Sequence, residues 1–91
     1  MAEQPTKRPK RTVETHEYLQ MARRMIRAAG NRVASDDVEY LAELVALREY
    51  LNVTIVSAVS GLRNSGHTWQ EIGDATGTTR QAAIMKWARS M

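Results

Sequence analysis

Apolar positions along this chain form two long helical stripes followed by two short ones. Leu19, Ala22, Ile26 and Ala29 recur at the three- and four-residue spacing of one helix face, widened by Tyr18, Met21 and Met25. Thr12 is placed to cap a helix over residues 13–29, Glu14 suits the positive end of its dipole, and Gly30-Asn31 reads as its stop. Ser35 or Asp36 then caps a second helix that continues to Arg63 and ends at Asn64-Ser65-Gly66. Leu41, Leu44, Arg48, Leu51, Ile55, Ala58 and Leu62 keep a nearly seven-residue rhythm, the spacing of a coiled-coil or bundle seam. Val38, Ala42, Val45, Val53, Val56 and Val59 lie outside that seam, so the second half of this helix is apolar on most sides and should be central. The β-branched run Val53-Thr54-Ile55-Val56 favours a strand, but it lacks flanking turns and alternation and is read as helix, with a break near Asn52 left open.

The short stripes lie in residues 66–88. Thr68-x-x-Glu71 and Thr78-x-x-Gln81 each have the form of a capping box, in which a threonine hydroxyl and the side chain three residues on satisfy two orphan amides at a helix start. Gly77 between them is placed to end the first helix in the left-handed conformation. Trp69 and Ile72 share one face, Ala83 and Trp87 another, and Gly73 with Ala82-Ala83 is small where two crossing helices approach. The pattern predicts helix, tight turn, helix, the arrangement that places a second helix in the major groove of DNA. The fold expected is all-α: a basic, disordered arm over residues 1–11, a helical scaffold and dimerisation region over 12–65, and a C-terminal helix-turn-helix over 66–91.

These residues resemble the helix-turn-helix of sigma-factor region 4 and, more closely, small actinobacterial and actinophage helix-turn-helix proteins. The similarity rests on Gly66-His67-Thr68-Trp69, Glu71-Ile72-Gly73, Gly77, Thr79-Arg80-Gln81-Ala82-Ala83 and Lys86-Trp87, about a quarter of the chain. It implies a recognition helix that starts at Arg80 and Gln81. Thr76 and Thr78 depart from the pattern, which has Leu and Val or Ile around the turn glycine. A threonine methyl partly replaces valine, but its hydroxyl needs a partner. Capping supplies one for Thr78; none is evident for Thr76, so a looser turn is expected.

Composition narrows the field. With 91 residues and no cysteine, the chain is expected to be one small domain without disulfide or cysteine–zinc chemistry. No apolar run reaches bilayer length, so a soluble, cytoplasmic protein, nucleoid-associated when bound to DNA, is expected. Charge is uneven. Residues 1–34 hold eight Lys or Arg against three Glu, net +5; residues 35–49 hold five acids against Arg48, net −4; residues 50–91 hold four bases against two acids, net +2. The acids at 36, 37 and 39 suit a helix start and need no partner.

Candidate DNA contacts follow from position. Arg80 can pair with guanine and Gln81 with adenine, though capping competes for Gln81. Lys86 and Arg89 suit phosphates and equally the C-terminal dipole; Thr68, Thr78 and Thr79 suit phosphate at helix starts. Met85, with Ile84, faces outward and can touch a thymine methyl or a protein. Lys7, Arg8, Lys10 and Arg11 form either a groove-reaching arm or a solvated tail, and Arg23, Arg24 and Arg27 either a phosphate-binding patch or charges suited to a helix end. His67 is placed to cap the preceding helix, whereas His16 faces solvent. Catalytic, metal, cofactor and small-molecule sites have no motif here.

The function expected is a sequence-selective DNA-binding transcriptional regulator of bacterial or phage type, not an enzyme. Its partners would be double-stranded DNA and a second copy in a homodimer, with a transcription-machinery protein possible. The alternatives are a protein-interaction module in which Ile84 and Met85 dock a partner, and a nonspecific architectural DNA-binding protein.

Overall fold

A computed structural model describes the backbone of residues 7–91 and the side chains from Glu14 onward. Among the described residues it is all-helical, without strands. The α-helices are α1 (Lys7–Asp36), α2 (Leu41–Asn64), α3 (Trp69–Thr76) and α4 (Arg80–Trp87), with short 3-10 turns at Val38–Tyr40 and Ala88–Ser90. The chain divides into two compact units, Met1–Leu44 and Val45–Met91.

In the first unit α1 is longer at both ends than the sequence pattern predicts. It takes in residues 7–11 of the basic arm expected to be disordered, while residues 1–6 lie outside the described residues. Pro9 falls in the first turn, where its missing N–H costs no helical bond. Thr12 is therefore interior and not a cap. Gly30-Asn31 does not stop the helix either: a single glycine costs only about 1 kcal/mol relative to alanine, and Ala28, Ala29, Arg32 and Ala34 around it are strong helix formers or tolerate the helix well. The expected cap at Ser35 or Asp36 is also displaced. Ser35 Oγ donates back to the Asn31 carbonyl at 3.0 Å inside the last turn of α1. The break comes at Asp37, whose φ of −112° and ψ of 53° leave the helical region. The α1 residues Tyr18, Leu19, Met21, Met25 and Ile26 are all exposed.

In the second unit α2 is helical through Val53-Thr54-Ile55-Val56, with no break at Asn52. Thr54 lowers the cost of its placement by donating its hydroxyl to the Tyr50 carbonyl at 2.9 Å. The helix closes around Gly66, at φ +100°. The N–H of Gly66 donates to the Arg63 carbonyl at 3.0 Å and that of His67 to the Leu62 carbonyl at 3.0 Å, the paired bonds of a Schellman closure. His67 thus caps α2, as expected, through its backbone.

The core is small: Val59 of α2, Ile72 of α3 and Ala83 of α4 are the buried hydrophobic residues among those described, with Trp69 and Trp87 packed against them. Four of these five residues are the inward positions that the spacing in α3 and α4 predicts. The expected central role of α2 is seen only at Val59, the one buried residue of the helix, while Leu51, Val53, Ile55 and Leu62 are exposed.

Gly73 is the tightest point. A β-carbon there would lie 2.9 Å from the carbonyl oxygens of both Thr78 and Thr79, and those are backbone atoms that cannot swing aside. Gly73→Ala is therefore expected to lower stability by about 1–3 kcal/mol, as overpacking does. Urea unfolding followed by tryptophan fluorescence measures it; an unchanged midpoint would show that the two segments are not held this close.

Candidate functional site

The α3–α4 pair begins with a capping box at the predicted residues. Thr68 has extended backbone, its Oγ1 accepts from the Glu71 N–H at 3.0 Å, and Glu71 Oε1 accepts from the Thr68 N–H at 2.8 Å. That backbone bond holds the Glu71 carboxyl below its ordinary value of 4.5, against an opposing desolvation cost and with help from His67. His67 Nδ1 lies 3.3 Å from Glu71 Oε1. Arg63 ties the end of α2 to the same corner: Nη1 donates to the His67 carbonyl at 3.0 Å and the guanidinium stands 5.1 Å from the centre of the Trp69 ring.

The second expected box is not formed, and its absence corrects the assignment by one residue. Gly77 adopts φ 73° and ψ 28°, and the closure of α3 uses the Gly77 N–H on the Asp74 carbonyl at 3.3 Å and the Thr78 N–H on the Gly73 carbonyl at 2.8 Å. Thr78 is thus consumed as the second closing residue of α3. Thr79 becomes the cap of α4, with φ −84° and ψ 163°, and its Oγ1 accepts from the Ala82 N–H at 3.0 Å. Three residues on stands Ala82, which has no side-chain acceptor to reciprocate, so Gln81 has no capping role. The Thr76 hydroxyl, without an evident partner in the sequence, donates to the Ile72 carbonyl at 2.8 Å and also lies 3.3 Å from the Gly73 carbonyl.

The remaining candidates fall around α4. Arg80 and Gln81 are exposed at its first two positions. Met85 is 61 % exposed and sits four residues after Gln81, so the two share an outward face. Ile84, expected to face outward with Met85, is half-buried, as are Ala82 and Ala88. Lys86 is exposed with its ammonium 5.6 Å from the Trp87 ring centre, and Arg89 is exposed in the final 3-10 turn. Thr68 and Thr79 are exposed but engaged as caps, and Thr78 is half-buried. The arm side chains Lys7, Arg8, Lys10 and Arg11 lie outside the described residues. Arg63 is the residue that sequence reasoning left without a local role; its six-residue spacing to Trp69 across a turn gives no periodic signal.

Among the described residues no group of three His, Asp or Glu side chains is placed to hold a metal ion, and no helix is long and apolar enough to cross a membrane. Compared with protein-family models, with curated proteins and with solved structures, the chain has no match.

The two threonines of the turn separate cleanly by experiment. Thr79→Ala removes the cap of α4 and is expected to cost about 1 kcal/mol, whereas Thr78→Val keeps the methyl and the shape of the half-buried side chain and is expected to cost less. Paired denaturation curves measure the difference; a larger loss at Thr78 would restore the cap to that residue.

Proposed function

We propose that this chain is a sequence-selective, double-stranded-DNA-binding regulator in which α3 and α4 act as a helix-turn-helix and α4 enters the major groove. The observation that carries this reading is the presentation of α4. Ala83 and Trp87 hold one side of the helix on Ile72, while the first turn offers Arg80 and Gln81 to solvent. A recognition helix needs that division, because its N-terminal residues must reach base edges while its other face anchors it.

Each side chain then has a role set by its chemistry. Arg80 carries a planar fork suited to the two acceptors of guanine, and Gln81 carries the donor and acceptor that match adenine. Relief of Gln81 from capping strengthens its assignment to readout. Met85, one turn further along the same face, suits contact with a thymine methyl. Lys86, Arg89 and the amides at the starts of α3 and α4, beside Thr68 and Thr79, suit phosphates, which set register without reading sequence. Lys7, Arg8, Lys10 and Arg11 would add phosphate neutralisation, and with it salt dependence. Regulation by site occupancy in a bacterial or phage cytoplasm, without catalysis, accords with this assignment.

The exposure of Met85 also favours a second reading, in which α4 docks a protein of the transcription machinery. The half-burial of Ile84 weakens it, since only one of the two apolar residues is then available to a partner.

Selection from random duplexes, wild type beside Arg80→Ala, tests the proposal. The expected result is an enriched motif for the wild type that relaxes at one base in the variant, with a loss of about 1–3 kcal/mol on the selected site. Binding without enrichment would point to an architectural protein, and no binding at low salt would sink the regulator reading.

A further inference from the structure

The basic face of α1 is a charged surface that base reading by α4 does not use. Arg23, Arg24 and Arg27 lie within about one turn of one another, and all three are exposed. Charge suited to a helix end does not account for them. α1 continues to Asp36, nine residues beyond Arg27, whereas the helix dipole acts only within the last turn. Nor do acids neutralise them. No Asp or Glu stands three or four residues from any of the three, and among the described residues none of them forms an ion pair or a side-chain hydrogen bond. Arg27 instead has Arg23 and Arg24 as its neighbours one turn back, like charges that weaken a helix. From Tyr18 to Ser35 the helix carries four arginines and no acid, over about 27 Å. A negative surface laid against this face relieves the repulsion.

We infer that the face binds the phosphate backbone of double-stranded DNA, without regard to base sequence. Residue type argues for phosphate. Each of the three is arginine, whose planar fork donates two parallel hydrogen bonds to phosphate oxygens, where lysine offers a point charge. Gln20 and Asn31 stand one turn before and one turn after the cluster on the same side and add amide donors. Charge density argues the same way. The cluster advances about 6 Å along the helix, a length over which a duplex presents roughly three or four phosphates.

The apolar and aromatic positions of α1 select a duplex from among anionic partners. Leu19, Ala22, Ile26 and Ala29 form its apolar stripe, and Arg24 and Arg27 lie across the helix from it. A helix lying in an anionic membrane buries its apolar stripe, which here would turn those two arginines outward to water. Single-stranded nucleic acid is held by basic residues interleaved with aromatic rings that stack on the unpaired bases. The basic face has no such ring, since Tyr18 belongs to the apolar side. A duplex, with its bases stacked inside and its charge outside, asks only for the donors that this face holds. The inference concerns α1 alone and stands whether or not α4 reads bases.

Binding of the full chain to a duplex of random sequence, followed from roughly 50 to 200 mM salt, is the test. Replacing all three residues, Arg23→Gln, Arg24→Gln and Arg27→Gln, should lower the slope of log affinity against log salt by about 2.7, so that the wild type loses about fortyfold more affinity than the variant over that range. Glutamine matches arginine in helix propensity, and circular dichroism should show unchanged helical content. Lysine at the same three positions should keep the slope. Arg32→Gln removes a charge from the edge of the apolar side and should leave the slope as it is. The triple glutamine variant should weaken every duplex alike, whereas any base preference lost in Arg80→Ala belongs to α4, so the two surfaces are read separately.

A triple glutamine variant with the wild-type slope would overturn the inference, as would an equal change per charge at Arg32 or a wild type that binds no duplex at low salt. Loss of binding to phosphatidylserine vesicles with the DNA slope intact would also overturn it, and would assign the face to a membrane.

Discussion

The C-terminal unit depends on one close approach, that of the Gly73 backbone to the carbonyls of Thr78 and Thr79. The absence of a side chain lets α3 run nearly against the segment that leads into α4. Gly77 then turns the chain by a left-handed residue and α4 starts almost at once. The Thr78 N–H bonds to the Gly73 carbonyl across the same gap. Thus one small residue provides the space, the hydrogen-bond acceptor and the geometry of the turn. Ala83, fully buried, continues the same economy on α4, where a longer side chain would push the helices apart. What α4 shows to solvent is a consequence of what this contact hides.

The buried core among the described residues is small. Burial of Val59, Ile72 and Ala83, with two tryptophans in support, secures the end of α2 and the two short helices. Within the same unit, Leu47 and Leu51 of α2 lie outside that cluster and are exposed, and the apolar stripe of α1 is exposed as well. Those faces have the spacing of packed helices and the exposure of unpacked ones. Helical propensity alone stabilises a segment weakly in water, because most helix stability in proteins comes from tertiary contact.

Much of the C-terminal unit was legible in the sequence because its signals are local. The Thr68-x-x-Glu71 box, the glycine at 77, the smallness of 73 and the inward set Trp69, Ile72, Ala83 and Trp87 each follow from spacings of four residues or fewer. The cap of α4 was misplaced by one residue for a definable reason: Thr78-x-x-Gln81 is the better capping string, but closing α3 uses the Thr78 amide and moves the start of α4 to Thr79. The bounds of α1 were missed because helix stops such as Gly30-Asn31 are weak where neighbours favour the helix. The contact of Arg63 with Trp69 and the His67 carbonyl was not legible, since it joins two helices across a turn. Nor could spacing tell which α2 residues would be covered: Val59 and Ile55 are alike in type and differ only in what lies opposite them.

The central claim is that α4, held by α3, presents its first turn to the DNA. Amide chemical shifts followed by heteronuclear NMR during addition of duplex DNA at low salt test it most directly. The account predicts that the largest changes fall on residues 79–86 and on the amides at the start of α3, with the α2 stripe from Leu51 to Leu62 little affected. Changes confined to α1 or α2, with α4 unmoved at saturation, would contradict it.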